Sequence, residues 1–217
     1  MSQPPADVAP ATRSCRFGPL WVEYDERVLT PRPWTFEQSR WAAELAAAAE
    51  PAPILELCAG AGHIGLAAAV LADRDLVQVE ADPVAAGYAV ANVARGAWGE
   101  RVEVRNAGLT DALRPDERFP VVIADPPYLP TSQVRRWPAD PVTAIDGGID
   151  GLDVVWTCLG VAAAQLPADG SLLLQVAGSG QAELVTRLLE AAAAPALRRV
   201  ALRVIDDERA IMLLRPP

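Results

Sequence analysis

Residues 51–65 read Pro-Ala-Pro-Ile-Leu-Glu-Leu-Cys-Ala-Gly-Ala-Gly-His-Ile-Gly, and the other segments of the chain can be arranged around them. A short apolar run over residues 53–57 predicts a buried strand. Glycines follow at once, and an apolar pattern with helical spacing begins at Ile64. Strand, glycine turn and helix in this order are typical of the ligand-cradling unit of doubly wound α/β folds.

The glycine turn carries two signals. Gly60, Gly62 and Gly65 fit the G-x-G-x-x-G spacing of dinucleotide-binding turns, in which missing Cβ atoms let the backbone approach a ligand. Glu56 lies four residues before Gly60, where a carboxylate suits a cationic ligand group better than a pyrophosphate. An ordinary strand-to-helix turn with an incidental Glu, and an NAD-dependent oxidoreductase, both stay open at this point. The chain has no lysine, so it lacks the Tyr-x-x-x-Lys pair of many such oxidoreductases.

Strand and helix patterns alternate along the chain, which predicts a doubly wound α/β fold with a mostly parallel, seven-stranded Rossmann-like sheet. The predicted strands lie at 53–57, 75–80, 101–105, 120–124, 170–177, 197–205 and 209–214. The last two form a hairpin, so one C-terminal strand is expected to be antiparallel. We divide the chain into a mobile N-terminal arm (1–18), lead-in strands with a helix (19–50) and the α/β domain (51–217).

Local signals refine several boundaries. Two short strands are predicted around Asp25-Glu26, and Thr35 is the expected N-cap of a helix that runs to residue 49. Asp82 is the expected N-cap of a helix that starts at Pro83 and ends near residue 98. Further helices are predicted from residue 152 to 166 and from 181 to 194. The long loop over residues 126–145 is expected to be functional because such loops are uncommon in compact domains.

An acidic residue follows the second strand of the sheet. Glu80 lies 20 residues after Gly60, the place at which doubly wound folds put the acid that binds ribose hydroxyls. The alternative is a solvated acid at a strand end. Glu80 is therefore a candidate ligand-binding residue on the same edge of the sheet as the glycine turn.

The tetrad Asp125-Pro126-Pro127-Tyr128 stands at the carboxyl end of the fourth strand of the sheet. Ligands of open α/β sheets bind outside these strand ends. The two prolines have no N–H, which leaves the Asp125 side chain and the Pro126 carbonyl as a rigid pair of acceptors for a planar –NH2 group. Tyr128 can stack on such a group. The alternative is a proline-terminated strand whose acid caps a turn.

Composition excludes several classes of protein. The 217 residues carry a net charge of −9, which disfavours phosphate-dominated binding of nucleic acid. The three cysteines lie far apart in sequence and predict neither a disulfide framework nor a zinc site, so no metal is expected. The single histidine, His63, is expected to be solvated or to cap a helix. We find neither a membrane-span pattern nor a signal peptide, and so expect a cytoplasmic location.

The order of these motifs resembles amino-directed class I S-adenosylmethionine (SAM) methyltransferases, and more closely the HemK-like family of release factor glutamine methyltransferases. The likeness covers roughly residues 28–215. Residues 31–37 echo the Pro-Arg-Pro phrase of that family, and residues 144–152, Ala-Ile-Asp-Gly-Gly-Ile-Asp-Gly-Leu, are the most specific match. Residues 170–175 and Gln181 resemble its fifth strand and the helix after it.

The resemblance implies a role for each motif. Seven residues of the first and second strand ends would hold SAM, namely Glu56, Cys58, Ala59, Gly60, Ala61, Gly62 and Glu80. The tetrad would hold the acceptor amide and orient its nitrogen, through Asp125, Pro126, Pro127 and Tyr128. The implied activity is methylation of a glutamine side chain in a protein, such as a translation release factor.

Four departures from the family matter. The family tetrad begins with Asn where this chain has Asp125, and Asp-Pro-Pro-Tyr is common among enzymes that methylate exocyclic amines of nucleobases. Cys58 replaces the first loop glycine, and Ala107-Gly108 stand where an acid is expected. The family also has an N-terminal recognition domain, and the about twenty residues before the first strands are expected to be too few to form one. Nucleic-acid and small-molecule acceptors, and a SAM-binding module without catalysis, therefore stay open beside the glutamine reading.

Overall fold

The computed structural model describes residues 10–96, 98–192 and 196–217. The strands are β1 Arg13–Phe17, β2 Leu20–Tyr24, β3 Ile54–Leu57, β4 Leu76–Glu80, β5 Val102–Asn106, β6 Val121–Ala124, β7 Ser171–Val176, β8 Arg198–Asp206 and β9 Arg209–Arg215. The helices are α1 Phe36–Ala48, α2 His63–Ala72, α3 Pro83–Arg95, α4 Val142–Ile145, α5 Asp153–Gln165 and α6 Gly178–Ala191. Two 3₁₀ turns cover Pro33–Thr35 and Thr131–Arg136.

Seven strands form one sheet in the order β5-β4-β3-β6-β7-β9-β8. The β3, β4, β5, β6 and β7 strands pair in parallel, whereas β9 runs antiparallel to both of its neighbours, β7 and β8. The predicted fold class, a mostly parallel seven-stranded sheet with a C-terminal antiparallel strand, is confirmed. Because β3 and β6 are adjacent although they are not consecutive in sequence, the chain reverses its winding there, and a crevice forms at their carboxyl ends.

Helices cover both faces of the sheet. Every residue of β3, β6 and β7 is buried, which is why these strands read as continuous rather than alternating apolar runs. One apolar cluster joins the sheet to α5 and α6, and the other joins it to α1, α2 and the β1–β2 hairpin. In the described ranges, no helix has the length and apolar character that a membrane crossing requires.

The N-terminal segment differs from its prediction. Residues 1–9 of the expected arm lie outside the described residues, whereas residues 13–17 form β1, and Phe17 is buried. The prediction of two strands between residues 20 and 29 is wrong, because the hairpin turns earlier, at Gly18 with a φ of +54°, and β2 is the only strand in that stretch. The division of the chain into three parts stays a prediction.

Helix boundaries agree with the predictions in part. Asp82 is confirmed as the N-cap of α3, since its carboxylate accepts hydrogen bonds from the Val84 and Ala85 N–H groups. Thr35 occupies the predicted N-cap position of α1, but its side chain does not cap the helix, because its hydroxyl donates to the Arg32 carbonyl. The expected loop over residues 126–145 contains a 3₁₀ turn and α4, and α6 begins three residues before its predicted start. The predicted end of α6 at residue 194 lies outside the described residues.

Candidate active site

The register of the sheet brings three sequence-distant residues to one level. Leu57 on β3 lies opposite Val79 on β4 and Ala124 on β6. The residues that follow, namely Cys58, Glu80 and Asp125, therefore stand side by side where these parallel strands end. This edge of the sheet is the crevice in which the sequence motifs were expected to meet.

The glycine turn leaves an open surface at one position. Gly60 has a φ of +56°, and a Cβ built on it would meet no atom within 4 Å. Gly62 has a φ of +77°, and a Cβ there would lie 2.7 Å from the Gln78 amide nitrogen. Gly62 thus serves the packing of the turn, whereas Gly60 presents bare backbone to a ligand.

Glu80 lies against this open position. Its carboxylate accepts hydrogen bonds from the Gly60 N–H (2.7 Å) and the Asp82 N–H (2.8 Å). Burial raises the pKa of Glu80, and these two N–H donors oppose that rise. Two fixed donors hold the carboxylate at the strand end, next to the surface of the glycine turn.

Glu56 does not line the crevice, although the sequence suggested that it faces a ligand. It is 2 % exposed, and its carboxyl oxygens accept hydrogen bonds from the Gly65 N–H (2.8 Å) and the Gln78 side-chain amide (2.6 Å). Burial raises the pKa of Glu56 to about 8. The group therefore supports the turn and the first turn of α2 from beneath, instead of lining the crevice.

The other residues of the turn are also accounted for. Ala59 and Ala61 are buried, and each contributes a backbone hydrogen bond, to the Val79 carbonyl and from the Asn92 side chain respectively. Cys58 adopts a φ of +57°. Its sulfur lies 3.8 Å from that of Cys158 on α5, although 100 residues separate the two in sequence.

The prediction that His63 is solvated or caps a helix is wrong. His63 is 9 % exposed, its ring packs edge-on against Phe17 with centroids 4.7 Å apart, and its Nδ1 finds no hydrogen-bond partner within the described ranges. Burial lowers the pKa of His63 to about 4. The β1–β2 hairpin covers the start of α2, so this histidine is part of the core and is neither solvated nor a cap.

The tetrad after β6 lines a cleft of about 680 Å³. Asp125 is half-buried, and its carboxyl group makes no hydrogen bond to any described residue. Burial raises its pKa to about 7. Burial and the neighbouring Asp125 also raise the pKa of the Tyr128 hydroxyl. A carboxyl group with no partner in the described part of the chain therefore lines the cleft beside Pro126 and Pro127.

Segments from three other parts of the chain enclose this cleft. Arg32 in the lead-in segment forms an ion pair with Asp140 (2.6 Å), which joins residues 108 positions apart. The turn between β8 and β9 reaches the same place, where the Arg209 guanidinium lies over the Trp34 ring at 4.8 Å. The cleft lies on the tetrad side of the crevice, and its lining includes neither Gly60 nor Glu80.

Sequence reasoning missed several of these residues. The β8–β9 turn was expected only as a connection, yet Asp207, Glu208 and Arg209 line the cleft. Gln181, noted only as part of a family resemblance, bonds directly to the tetrad. The Pro-Arg-Pro phrase at residues 31–33 was the one available signal for the lead-in side of the cleft.

Curated proteins with related sequences include several glutamine methyltransferases. The release factor glutamine methyltransferase of Gloeobacter violaceus is 31% identical over 176 residues, which are 78% of this chain and 61% of that protein. The uL3 glutamine methyltransferase of Bordetella pertussis is 33% identical over 129 residues, 56% of this chain and 42% of that protein. This chain is homologous to the glutamine methyltransferases. The family resemblance expected from the motifs is confirmed, although no protein-family model matches.

The matched length of the curated relatives and the solved structures with a similar fold add to this comparison. The chain spans 42% to 61% of the length of these two relatives. Among solved structures, the catalytic domain of hMettl16 in complex with a MAT2A 3′UTR hairpin aligns with a TM-score of 0.72 over 91% of this chain and 75% of that one, at 16% identity. A SAM-dependent methyltransferase from Agrobacterium tumefaciens aligns with a TM-score of 0.62 over 98% of this chain and 72% of that one, at 13% identity. At these identities the structures show a shared fold.

Proposed function

We propose that this protein is a SAM-dependent N-methyltransferase whose acceptor is the side-chain amide of a glutamine in another protein. The observation that carries the proposal is the carboxyl group of Asp125, which has no hydrogen-bond partner among the described residues and lines a cleft together with Pro126 and Pro127, at the end of the strand next to the one that leads into the glycine turn. The homology to release factor and uL3 glutamine methyltransferases supports it. A protein of the translation machinery is the acceptor that these relatives suggest, and the cytoplasm is then the location.

The residues around the glycine turn fit SAM. Gly60 offers open backbone, and the Glu80 carboxylate beside it can accept hydrogen bonds from ribose hydroxyls. The remaining turn residues, Cys58, Ala59, Ala61 and Gly62, shape the turn that presents Gly60, and Glu56 supports this turn from below. When bound, SAM would supply an electrophilic methyl group.

The tetrad fits a planar amide. Since neither Pro126 nor Pro127 has an N–H, the Asp125 carboxylate and the Pro126 carbonyl present acceptors without competing donors. Two such acceptors can bind both hydrogens of an –NH2 group and so orient its nitrogen, which is where most of the catalysis of an in-line displacement arises. Asp125 can also accept the proton that the nitrogen loses, because its pKa of about 7 suits a general base near neutral pH.

A nucleobase amine is the second candidate acceptor. The Asp at the start of the tetrad, where the glutamine methyltransferase family has Asn, favours it. The charges at the cleft oppose it, because Arg32 pairs with Asp140 and Arg136 lies 3.3 Å from Glu208. Phosphate binding needs cations that are not already neutralised. We therefore place the nucleobase amine second.

Transfer of labelled methyl from SAM into a cell extract tests the proposal, with protease or nuclease digestion afterwards. We expect label that protease removes and that mass mapping assigns to a glutamine side chain. The Asp125→Ala variant should lose transfer, while Glu26→Gln, a change at an exposed carboxylate outside the cleft, should retain it. Label that nuclease removes would establish the nucleobase alternative, and full transfer by Asp125→Ala would refute the role of the tetrad.

A further inference from the structure

Gln181 at the start of α6 contacts three separate backbone segments. Its side-chain oxygen accepts a hydrogen bond from the Ala177 N–H at 2.7 Å. Its side-chain nitrogen donates to the Tyr128 carbonyl at 3.0 Å and the Gly151 carbonyl at 3.3 Å. The Ala177 bond orients the amide, so that the –NH2 group faces the two carbonyls. Of the common side chains, only a primary amide supplies this acceptor and these donors together.

Few other hydrogen bonds within the described structure fix the position of the tetrad. Its two prolines have no N–H, so the backbone cannot donate from Pro126 or Pro127. Among the described residues, Gln181 is the one side chain that donates a hydrogen bond to any atom of the tetrad. The bond reaches Tyr128, the residue at which the rigid proline pair ends and the chain turns along the cleft.

The glycine-rich loop over residues 146–151 packs against the Gln181 amide and the Tyr128 carbonyl. Gly151 has a φ of +78°, and a Cβ there would overlap the Tyr128 carbonyl oxygen and lie 3.0 Å from the Gln181 nitrogen. A short parallel bridge continues the contact, because the Leu129 N–H donates to Ile145 (3.0 Å) and the Gly147 N–H donates back to Leu129 (2.8 Å). Tetrad, loop and α6 therefore meet at the Gln181 amide.

We propose that Gln181 is a positioning residue for methyl transfer: its amide fixes the Tyr128 carbonyl and the glycine-rich loop, and thereby the direction in which the tetrad presents its acceptors to the substrate amide. The inference rests on the proposed function for its catalytic consequence. The structural part of the inference, that Gln181 clamps the tetrad, does not depend on which acceptor the protein methylates.

Two variants and a matched control test the clamp. Gln181→Glu keeps the shape and the oxygen that accepts from Ala177 but removes the donor, and Gln181→Met removes both. Gln165→Met is the control, because Gln165 is also a helical glutamine whose side-chain amide donates to a carbonyl, that of Arg114 (3.3 Å), but it lies at the opposite end of the sheet. Hydrogen exchange, SAM affinity and methyl-transfer kinetics are measured on all four proteins.

We expect the Leu129 and Gly147 amides to exchange roughly tenfold faster in both Gln181 variants, because the loss of the hydrogen bonds to the Tyr128 and Gly151 carbonyls weakens the segment locally. SAM affinity should stay within about twofold, whereas kcat should fall about 10- to 100-fold, as a small misplacement of reacting groups predicts. The Gln165→Met variant should lose stability and keep wild-type kcat and exchange at these two amides.

The possible failures are distinguishable. Unchanged exchange at Leu129 and Gly147 in Gln181→Glu would overturn the clamp, whatever the activity. Faster exchange with an unchanged kcat would limit Gln181 to a structural role and overturn the inference. If the wild-type protein binds no SAM, the proposed function fails, while the exchange data still decide whether the clamp exists.

Discussion

The Gly60 N–H donates a hydrogen bond of 2.7 Å to the Glu80 carboxylate, which ties the glycine turn after β3 to the end of the neighbouring strand. The bond places a carboxylate beside the only position of the turn where a Cβ would meet open space within the described structure. The two features that a ribose-bearing ligand needs, bare backbone and an acceptor for hydroxyls, therefore lie together.

Glu80→Gln should weaken SAM binding about tenfold or more, because an amide has one acceptor oxygen where the carboxylate uses both. Isothermal titration calorimetry measures the affinity. Glu26→Gln, a loss of the same charge at an exposed site, is the control. Equal affinity of the Glu80→Gln and wild-type proteins would contradict the assignment of Glu80.

Gly60→Ala and Gly65→Ala should separate ligand binding from stability. A Cβ at Gly60 enters open space, so Gly60→Ala should destabilise the fold by only about 1 kcal/mol, because of the positive φ. SAM affinity should fall in this variant, because the added Cβ occupies the surface proposed for SAM. A Cβ at Gly65 would lie 2.8 Å from the carboxyl carbon of the buried Glu56 and should cost about 1–3 kcal/mol. Urea unfolding and calorimetric titration of both variants check this, and the opposite ranking would be contrary to the structure.

Asp125→Asn should remove a titration from the pH profile. Burial raises the pKa of Asp125 from 3.8 to about 7, so the carboxylate form, which we assign to catalysis, is lost as pH falls below 7. Wild-type kcat/KM should fall up to about tenfold per pH unit there, and Asp125→Asn should show no inflection near 7. A retained inflection would assign the titration to another group.

The same carboxyl should affect stability with a defined sign. Because its pKa in the folded chain is raised, the folded state binds more protons between about pH 4 and 7, and the group destabilises the fold as pH rises through that window. Asp125→Asn should therefore be more stable than wild type at pH 8 by about 1 kcal/mol or more, and this difference should shrink toward pH 4. Urea unfolding at both pH values tests it.

Cys58→Gly should stabilise the protein relative to Cys58→Ala by about 0.5–1 kcal/mol. Cys58 adopts a φ of +57°, which costs any residue with a Cβ, and the comparison with Ala removes the contribution of the sulfur contact with Cys158. Ala59→Gly, at a neighbour without a positive φ, should destabilise instead. Equal stability of the Gly and Ala variants would show that the turn relaxes around this residue.

His63→Gln should be protected against acid. The pKa of His63 is about 4 in the folded chain and 6.5 ordinarily, so the unfolded chain binds more protons between these values, and wild-type stability falls as pH falls from 6.5 to 4. Relative to His63→Gln, the wild type should lose about 1–3 kcal/mol between pH 7 and 4.5. A difference in stability that does not change with pH would show that His63 titrates normally.

Strand–turn–helix order, the buried runs of β3 and β6, and the Asp82 cap were predictable because each depends on residues within a few positions of one another. Even so, the segment from residue 13 to 35 was predicted poorly, since the pairing of β1 with β2 depends on a turn at Gly18 and on the cover that the hairpin provides for His63. The alternation of apolar and polar residues alone did not show which short segment would pair with another as a strand.

The sequence by itself determined the doubly wound fold and the order of its motifs, because the period of apolar residues, the glycines and the prolines act locally on the backbone. The tertiary structure alone decided which of the candidate groups are buried and which line the crevice or the cleft. It buried Glu56 beneath the turn, left Asp125 without a hydrogen-bond partner among the residues that the structure describes, and brought Arg32, Gln181 and Arg209 to one cleft. These outcomes depend on strand order and on contacts between residues that lie far apart in the sequence, such as Tyr128 with Gln181 and Arg32 with Asp140, and local periodicity carries no information about either.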